Sequence, residues 1–460
     1  MKSLKTVLLG SAAGLLAVGV AQAADLPVKK AAAALQYVEV CPVYGSGFYK
    51  LPGTDICMRN FGSVKFNAGF MDERTFFDEQ DGGFRVQAGA SNTTGWQWTI
   101  RPGWDFRSPT EYGTLRTVVQ IRYDMRNGIF EDNDPVLTGA QRPTLHRGYI
   151  EWAGFIIGRA GSQFPYFDQD DVVIAVGGDP KTTPGMQLTY VFSAPGGLKA
   201  TIGLEDSAAW TGGDGFVDLT ALAVFPPDGL GPQRVYDVVG TVSTEQSWGN
   251  AKLAAAWHAT HTFSSSLGGT PNDHQIDGGY GLLAGITFNL PMLGPKDQLL
   301  LQATYCDGAI AYCGINGGAA NDSTSFERSG MYLDGEQRDD VDVYFADNGS
   351  GGYTAENTKV WSVVGQLRHY WAPLWRSNLT VGYSDINVPR IAEQFFQGDA
   401  EVFDIALNLI WGQSRRTAEI GVEVVYKSVK QDMPVGTILP PNVDEDPSGW
   451  AVVGFISRAW

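Results

Sequence analysis

Residues Trp96–Arg107 read WQWTIRPGWDFR. One set of alternate positions holds Trp96, Trp98, Ile100, Pro102, Trp104 and Phe106, and the other holds Gln97, Thr99, Arg101, Gly103, Asp105 and Arg107. Successive side chains of a strand point to opposite faces, so this segment predicts a strand with one apolar and one polar wall. The next segment, Leu115–Asp124, repeats the division. Leu115, Thr117, Val119, Ile121 and Tyr123 alternate with Arg116, Val118, Gln120, Arg122 and Asp124.

The same period returns along the chain, for example at Leu198/Ala200/Ile202/Leu204, Tyr280/Leu282/Ala284/Ile286/Phe288 and Ile420/Val422/Val424/Tyr426. Connections between these segments fall into two alternating classes. Short turns occur at 108–113, 153–154, 194–197, 247–250, 291–296, 372–377 and 412–416. Long connections occur at 71–94, 125–143, 162–184, 207–233, 263–278, 307–358, 389–400 and 430–449. Eight long and seven short connections separate sixteen strands, with both chain ends on the short-turn side. A soluble β-sandwich or propeller also alternates, but has no need of so consistent an asymmetry. The expected fold is all-β: a 16-stranded antiparallel transmembrane β-barrel with long extracellular loops and short periplasmic turns.

Composition agrees. The 460 residues are 43% hydrophobic and 12% aromatic, and only 18% are charged, against about 25% in average proteins. No apolar run of about 18 residues follows the N-terminus, which excludes a bundle of transmembrane helices. Abundant aromatic and β-branched residues exclude disorder. The formal charge of −17 comes without a basic patch and argues against nucleic acid as a partner.

Lys2 and Lys5 precede an apolar stretch, Val7–Val20, and then Ala21-Gln22-Ala23. These are the three parts of a secretory signal peptide, with cleavage expected after Ala23. Export and an even cysteine count favour two short disulfide loops, Cys41 with Cys57 and Cys306 with Cys313. The domain reading is a signal peptide at 1–23, an N-terminal segment with the Cys41/Cys57 loop at 24–60, and the barrel at 61–460.

Three segments carry a family resemblance. Tyr37–Gly62 reads YVEVCPVYGSGFYKLPGTDICMRNFG, Gly148–Gln163 reads GYIEWAGFIIGRAGSQ, and the chain ends in Gly454–Trp460, GFISRAW. Together with the mature start Ala24–Lys29, they resemble the alphaproteobacterial porin family. The resemblance implies a homotrimer of sixteen-stranded barrels in the outer membrane, each with a water-filled pore narrowed by its third long loop, at about 162–184. Trp460 departs from the Phe that more often ends outer-membrane proteins. The sixth long connection, Asp307–Thr358, is unusually long and acidic.

A barrel of this size encloses an aqueous channel whose selectivity depends on the charges lining its constriction. The third loop places Asp168, Asp170 and Asp171 after Phe164-Pro165-Tyr166-Phe167. By alternation, Arg101, Arg107, Arg116, Arg122 and Arg159 lie on the face opposite the apolar stripe, and Arg147 joins them where alternation is less clean. These residues are the candidate pore constriction: loop carboxylates facing wall guanidiniums across a transverse field. The competing reading is a solvated wall beneath an exposed acidic loop. Tyr166 and Phe167 either form a greasy guide for sugars or pack the loop against the wall.

Small hydrophilic solutes and ions, membrane lipid and lipopolysaccharide are the expected partners. No cofactor, metal or catalytic residue is expected, since no GxSxG, HExxH or cysteine–histidine arrangement occurs. The alternatives are a substrate-specific channel, for a sugar or an anion, and an outer-membrane barrel enzyme.

Overall fold

The computed structural model describes residues 39–71, 94–128, 143–167, 178, 180, 184–206, 214–218, 223–225, 235–261, 276–315, 332–333, 336–337, 342–347, 353–391, 398–413, 418–432 and 448–460. Sixteen strands form the wall. They are β1 (Cys57–Met71), β2 (Thr94–Thr110), β3 (Gly113–Gly128), β4 (Thr144–Trp152), β5 (Phe155–Ala160), β6 (Gly185–Ala194), β7 (Leu198–Glu205) and β8 (Asp237–Gln246). They continue as β9 (Gly249–His261), β10 (Ile276–Asn289), β11 (Gln298–Asp307), β12 (Lys359–Ala372), β13 (Trp375–Asn387), β14 (Ala400–Gly412), β15 (Ala418–Gln431) and β16 (Ser448–Ala459). Each pairs antiparallel with its neighbours in chain order, and β1 pairs with β16 from Ser63↔Ala459 to Met71↔Ala451. The sheet is closed and has no free edge, so backbone donors in lipid find partners around the whole circumference. The expected barrel is the observed one, although its first strand starts at Cys57 and not at residue 61.

Burial runs opposite to that of a soluble protein. Large apolar side chains such as Trp96, Ile202, Leu253 and Leu407 are exposed on the outer face, while Gln97, Thr241, Asn408 and Glu423 are buried on the inner one. An exposed apolar band around a polar interior is what a lipid-embedded barrel requires.

The short turns are built to match strand twist. Between Trp152 and Phe155 the two turn residues, Ala153 and Gly154, both have positive φ, at 50° and 87°. Mirror-image turns of this kind suit antiparallel strands. On the opposite side, the fourth and sixth long connections pair with each other. Asp214–Asp218 runs parallel to Val343–Asp347, flanked by Ala223–Phe225 and Tyr353–Asn357.

Both expected disulfides are present, Cys41–Cys57 and Cys306–Cys313. The first ties the N-terminal segment to the start of β1, where Tyr49–Lys50 pairs with Cys57–Met58. Phe48 is buried there, with the guanidiniums of Arg107 and Arg59 over its ring at 4.6 and 5.0 Å.

Candidate functional site

The third long connection turns inward as soon as β5 ends. Ser162 Oγ donates to Glu205 Oε1 of β7 at 2.9 Å, and Phe164 N donates back to Ser162 Oγ at 3.0 Å. The Lys252 ammonium of β9 donates to the carbonyls of Gln163 and, at 2.6 Å, Pro165. Tyr166 then lies against β10, its hydroxyl bonded to Asn250 Oδ1 and, at 2.6 Å, to Thr287 Oγ1. Phe167 N donates to Gln302 Oε1 of β11 at 3.0 Å. The chain therefore crosses from β5 to the wall formed by β9–β11, inside the barrel.

Glycine makes room for this crossing. A Cβ at Gly285 would stand 2.2 Å from Tyr166 Cδ1, and one at Gly281 would stand 2.8 Å from Tyr312 Cβ. Inward-facing glycines in a strand here mark the close approach of another segment. Tyr166 and Phe167 pack the loop against the wall: Phe167 is buried and the Tyr166 hydroxyl is tied to the wall.

A second segment fills the barrel from the long-loop side. After β11, residues Ile310–Cys313 form a 3-10 turn with every side chain buried. Ile310, Tyr312, Cys313 and Ile315 pack with Val239, Ala254, Leu283, Val360, Ile386, Val402 and Val429, which are inward residues of β8–β10 and β12–β15. Among the described residues, this half of the barrel thus holds an internal apolar core. Its polar anchor is fully buried. His258 Nδ1 meets Asp237 Oδ2 at 2.8 Å and its Nε2 lies 3.6 Å from Asp342 Oδ2. Tyr312 donates its hydroxyl to Asp237 Oδ2 at 2.8 Å, and Ile310 N donates to Asp342 Oδ1 at 2.8 Å. Burial, then the charge of Asp237, pushes the Tyr312 phenol well up, so it stays a donor. The two carboxylates flank opposite edges of the imidazole and do not converge on a common point. Among the described residues no group of three or more His, Cys, Asp or Glu side chains is arranged to hold a metal.

The other half of the wall carries the arginines. Two belong to an ion-pair network: Arg107 and Arg116 both reach buried Asp105, at 2.9 and 3.2 Å, and Arg116 also reaches Glu151 at 2.9 Å. Arg59 stands 3.6 Å from the same aspartate. Their charge is therefore largely compensated near the short-turn mouth. Arg122 pairs with Asp124. Arg147 stands opposite the buried, inward Gln120, and Arg101 stands opposite Ser63.

Local irregularities explain why alternation was unclear here. A register shift at Gln120/Ile121 leaves His146 as an extra residue between Leu145 and Arg147. Such a bulge re-aims side chains. Arg159 keeps the pairing of the outer-face residues, opposite Gly148 and Met186, against the expectation from simple alternation. Gly158 before it has φ 118°, a conformation that glycine alone adopts readily. Asp168, Asp170 and Asp171 lie outside the described residues. On either side of them, Phe167 is bonded to Gln302, and Gly178 packs against Ser362 and Ser384 of β12 and β13.

Residues 25–433 match the model of the porin subfamily. The chain belongs to that family. It is 30% identical to porin Omp2a of Brucella melitensis biotype 1 over 76% of this chain and 98% of that one. Against porin Omp2b of the same organism the identity is 31%, over 55% of this chain and 66% of the relative. The fold is similar to that of the outer membrane channel DcaP of Acinetobacter baumannii, with TM-score 0.58 and 12% identity over 89% of this chain and 99% of that one. The bacterial outer membrane is the setting that this family implies.

Proposed function

We propose that this porin passes small hydrophilic solutes and ions by passive diffusion along an off-centre aqueous path. The observation that carries the reading is the division of the inner wall. The long-loop end of β8–β15 is packed by the third and sixth connections, while β1–β7 present chiefly polar and basic side chains, among them Gln97, Arg101, Gln120 and Arg122. Water and solute then run beside the arginines.

In this reading Asp168, Asp170 and Asp171 face Arg101, Arg122 and Arg147 across the constriction, while Arg107 and Arg116 act nearer the exit. Arginine suits a wetted wall because it stays charged and binds carboxylate solutes as a planar fork. The experiment is the reversal potential of purified protein in planar bilayers under a KCl gradient. Replacing the three aspartates by asparagine is expected to shift selectivity toward anions, and an unchanged reversal potential overturns the transverse field.

The proposal includes cleavage after Ala23, assembly as a homotrimer and contact of the outer loops with lipopolysaccharide. N-terminal sequencing of the mature protein and its native mass in detergent test the first two.

A further inference from the structure

Between Tyr166 and the short-turn mouth the wall holds a half-open recess of about 200 Å³, lined by Tyr166, Asn250, Thr287, Gln298, Leu300, Gln366 and Arg368. Its composition is narrow. Three amides and two hydroxyls surround a single charge, and no carboxylate is among the described lining residues. Arg368 is held in place by neighbours on the wall: its Nε donates to Asn378 Oδ1 at 3.3 Å and its Nη1 to Gln298 Oε1 at 3.1 Å. Gln366 Nε2 donates to Thr380 Oγ1 at 3.0 Å, which orients the amide. The neighbouring cation, Arg376, pairs with Glu419 at 2.8 Å.

We infer that this recess is a solute subsite for a small polyhydroxylated monocarboxylate, a sugar acid of one ring. Tyr166 and Thr287 bond each other, but the amides of Asn250, Gln298 and Gln366 keep donors and lone pairs beyond their wall bonds, as a polyol requires. One guanidinium supplies one carboxylate partner. Leu300 offers the apolar surface that suits the C–H face of a ring. Among the described lining residues a cationic amino sugar finds no counter-charge. The volume holds one ring and not two. Because a channel must release what it binds, the affinity belongs in the weak regime, with Kd on the order of 1 mM. The roof of the recess is Tyr166, so a solute leaving the constriction meets the subsite next.

This inference rests on the channel reading above. The test measures KCl current through the protein in planar bilayers while glucuronate, glucose or acetate is added on the short-turn side. Glucuronate is expected to reduce the current, with added noise, at concentrations about tenfold below those required of glucose or acetate. Arg368→Gln is expected to remove the advantage over glucose, and Gln366→Leu the advantage over acetate. Equal effects of all three solutes, or block by glucuronate that neither substitution changes, overturns the subsite and leaves the channel reading standing. Absence of any KCl conductance overturns both.

Discussion

The ring of Phe164 meets the ring of Tyr312 edge-on, with centroids 4.7 Å apart. One belongs to the third long connection and the other to the sixth, so the two segments that narrow the barrel brace each other inside it. Removing the Tyr312 ring should therefore disturb the constriction from a distance. Tyr312→Ala is expected to change single-channel conductance and raise open-channel noise. Tyr312→Phe keeps the ring but leaves Asp237 short of a donor, at a cost of about 1–3 kcal/mol. That loss should appear as a lower temperature for conversion of the folded band on a denaturing gel, with conductance near that of the parent.

The seat of Tyr166 on Gly285 makes a sharper test, because no side chain fits there. Gly285→Val should displace the Tyr166 ring and alter conductance. Gly365→Ala is the control, since a Cβ there meets only Leu301 Cδ2, at 3.5 Å, and one backbone oxygen at 3.9 Å. Equal conductance changes in the two variants would contradict the packing described.

The buried set of His258, Asp237 and Asp342 gives a third expectation. Replacing His258 by leucine leaves Asp237 and Asp342 without the group between them. Breaking a buried charged set from one side costs about 3–5 kcal/mol. Replacing all three by apolar residues should recover much of that loss. Urea unfolding followed by tryptophan fluorescence checks both variants, and a single substitution no worse than the triple one would argue against a charged set.

The Cys306–Cys313 disulfide closes a short loop at the base of the inner turn. A loop of this length is worth roughly 2–3 kcal/mol in restricted chain entropy. A Cys306→Ser/Cys313→Ser double variant should fold the barrel yet release the sixth connection. Limited proteolysis should then cut within 308–315, where the parent is packed inside the barrel.

Much of the wall is legible in the sequence. A period of two over ten residues, as at Trp96–Arg107, depends only on strand geometry and on lipid outside and water inside. The inner architecture was not legible, because its contacts join residues far apart in the chain. Tyr312 and Asp237 look like ordinary loop and strand residues until the sixth connection turns inward. Lys252 reads as one more polar wall residue, yet it holds two carbonyls of the third connection. The available signal was Gly281 and Gly285 in a strand that otherwise alternates cleanly: glycine on an inner face marks the approach of another segment. At His146–Arg147 and at Arg159, one bulge and one positive-φ glycine break the period of two that assigns each arginine a face.

The divided lumen also sets two rules for substitution within one barrel. On the inward face of β8–β15 near the long loops, tolerance should follow that of a close-packed core, where one methylene more or less is felt. On the inward face of β1–β7, tolerance should follow that of a solvated surface, and the effects should appear in permeation. A saturation map of the inner wall would then show a seam running along the barrel, with folding defects on one side of it and altered traffic on the other.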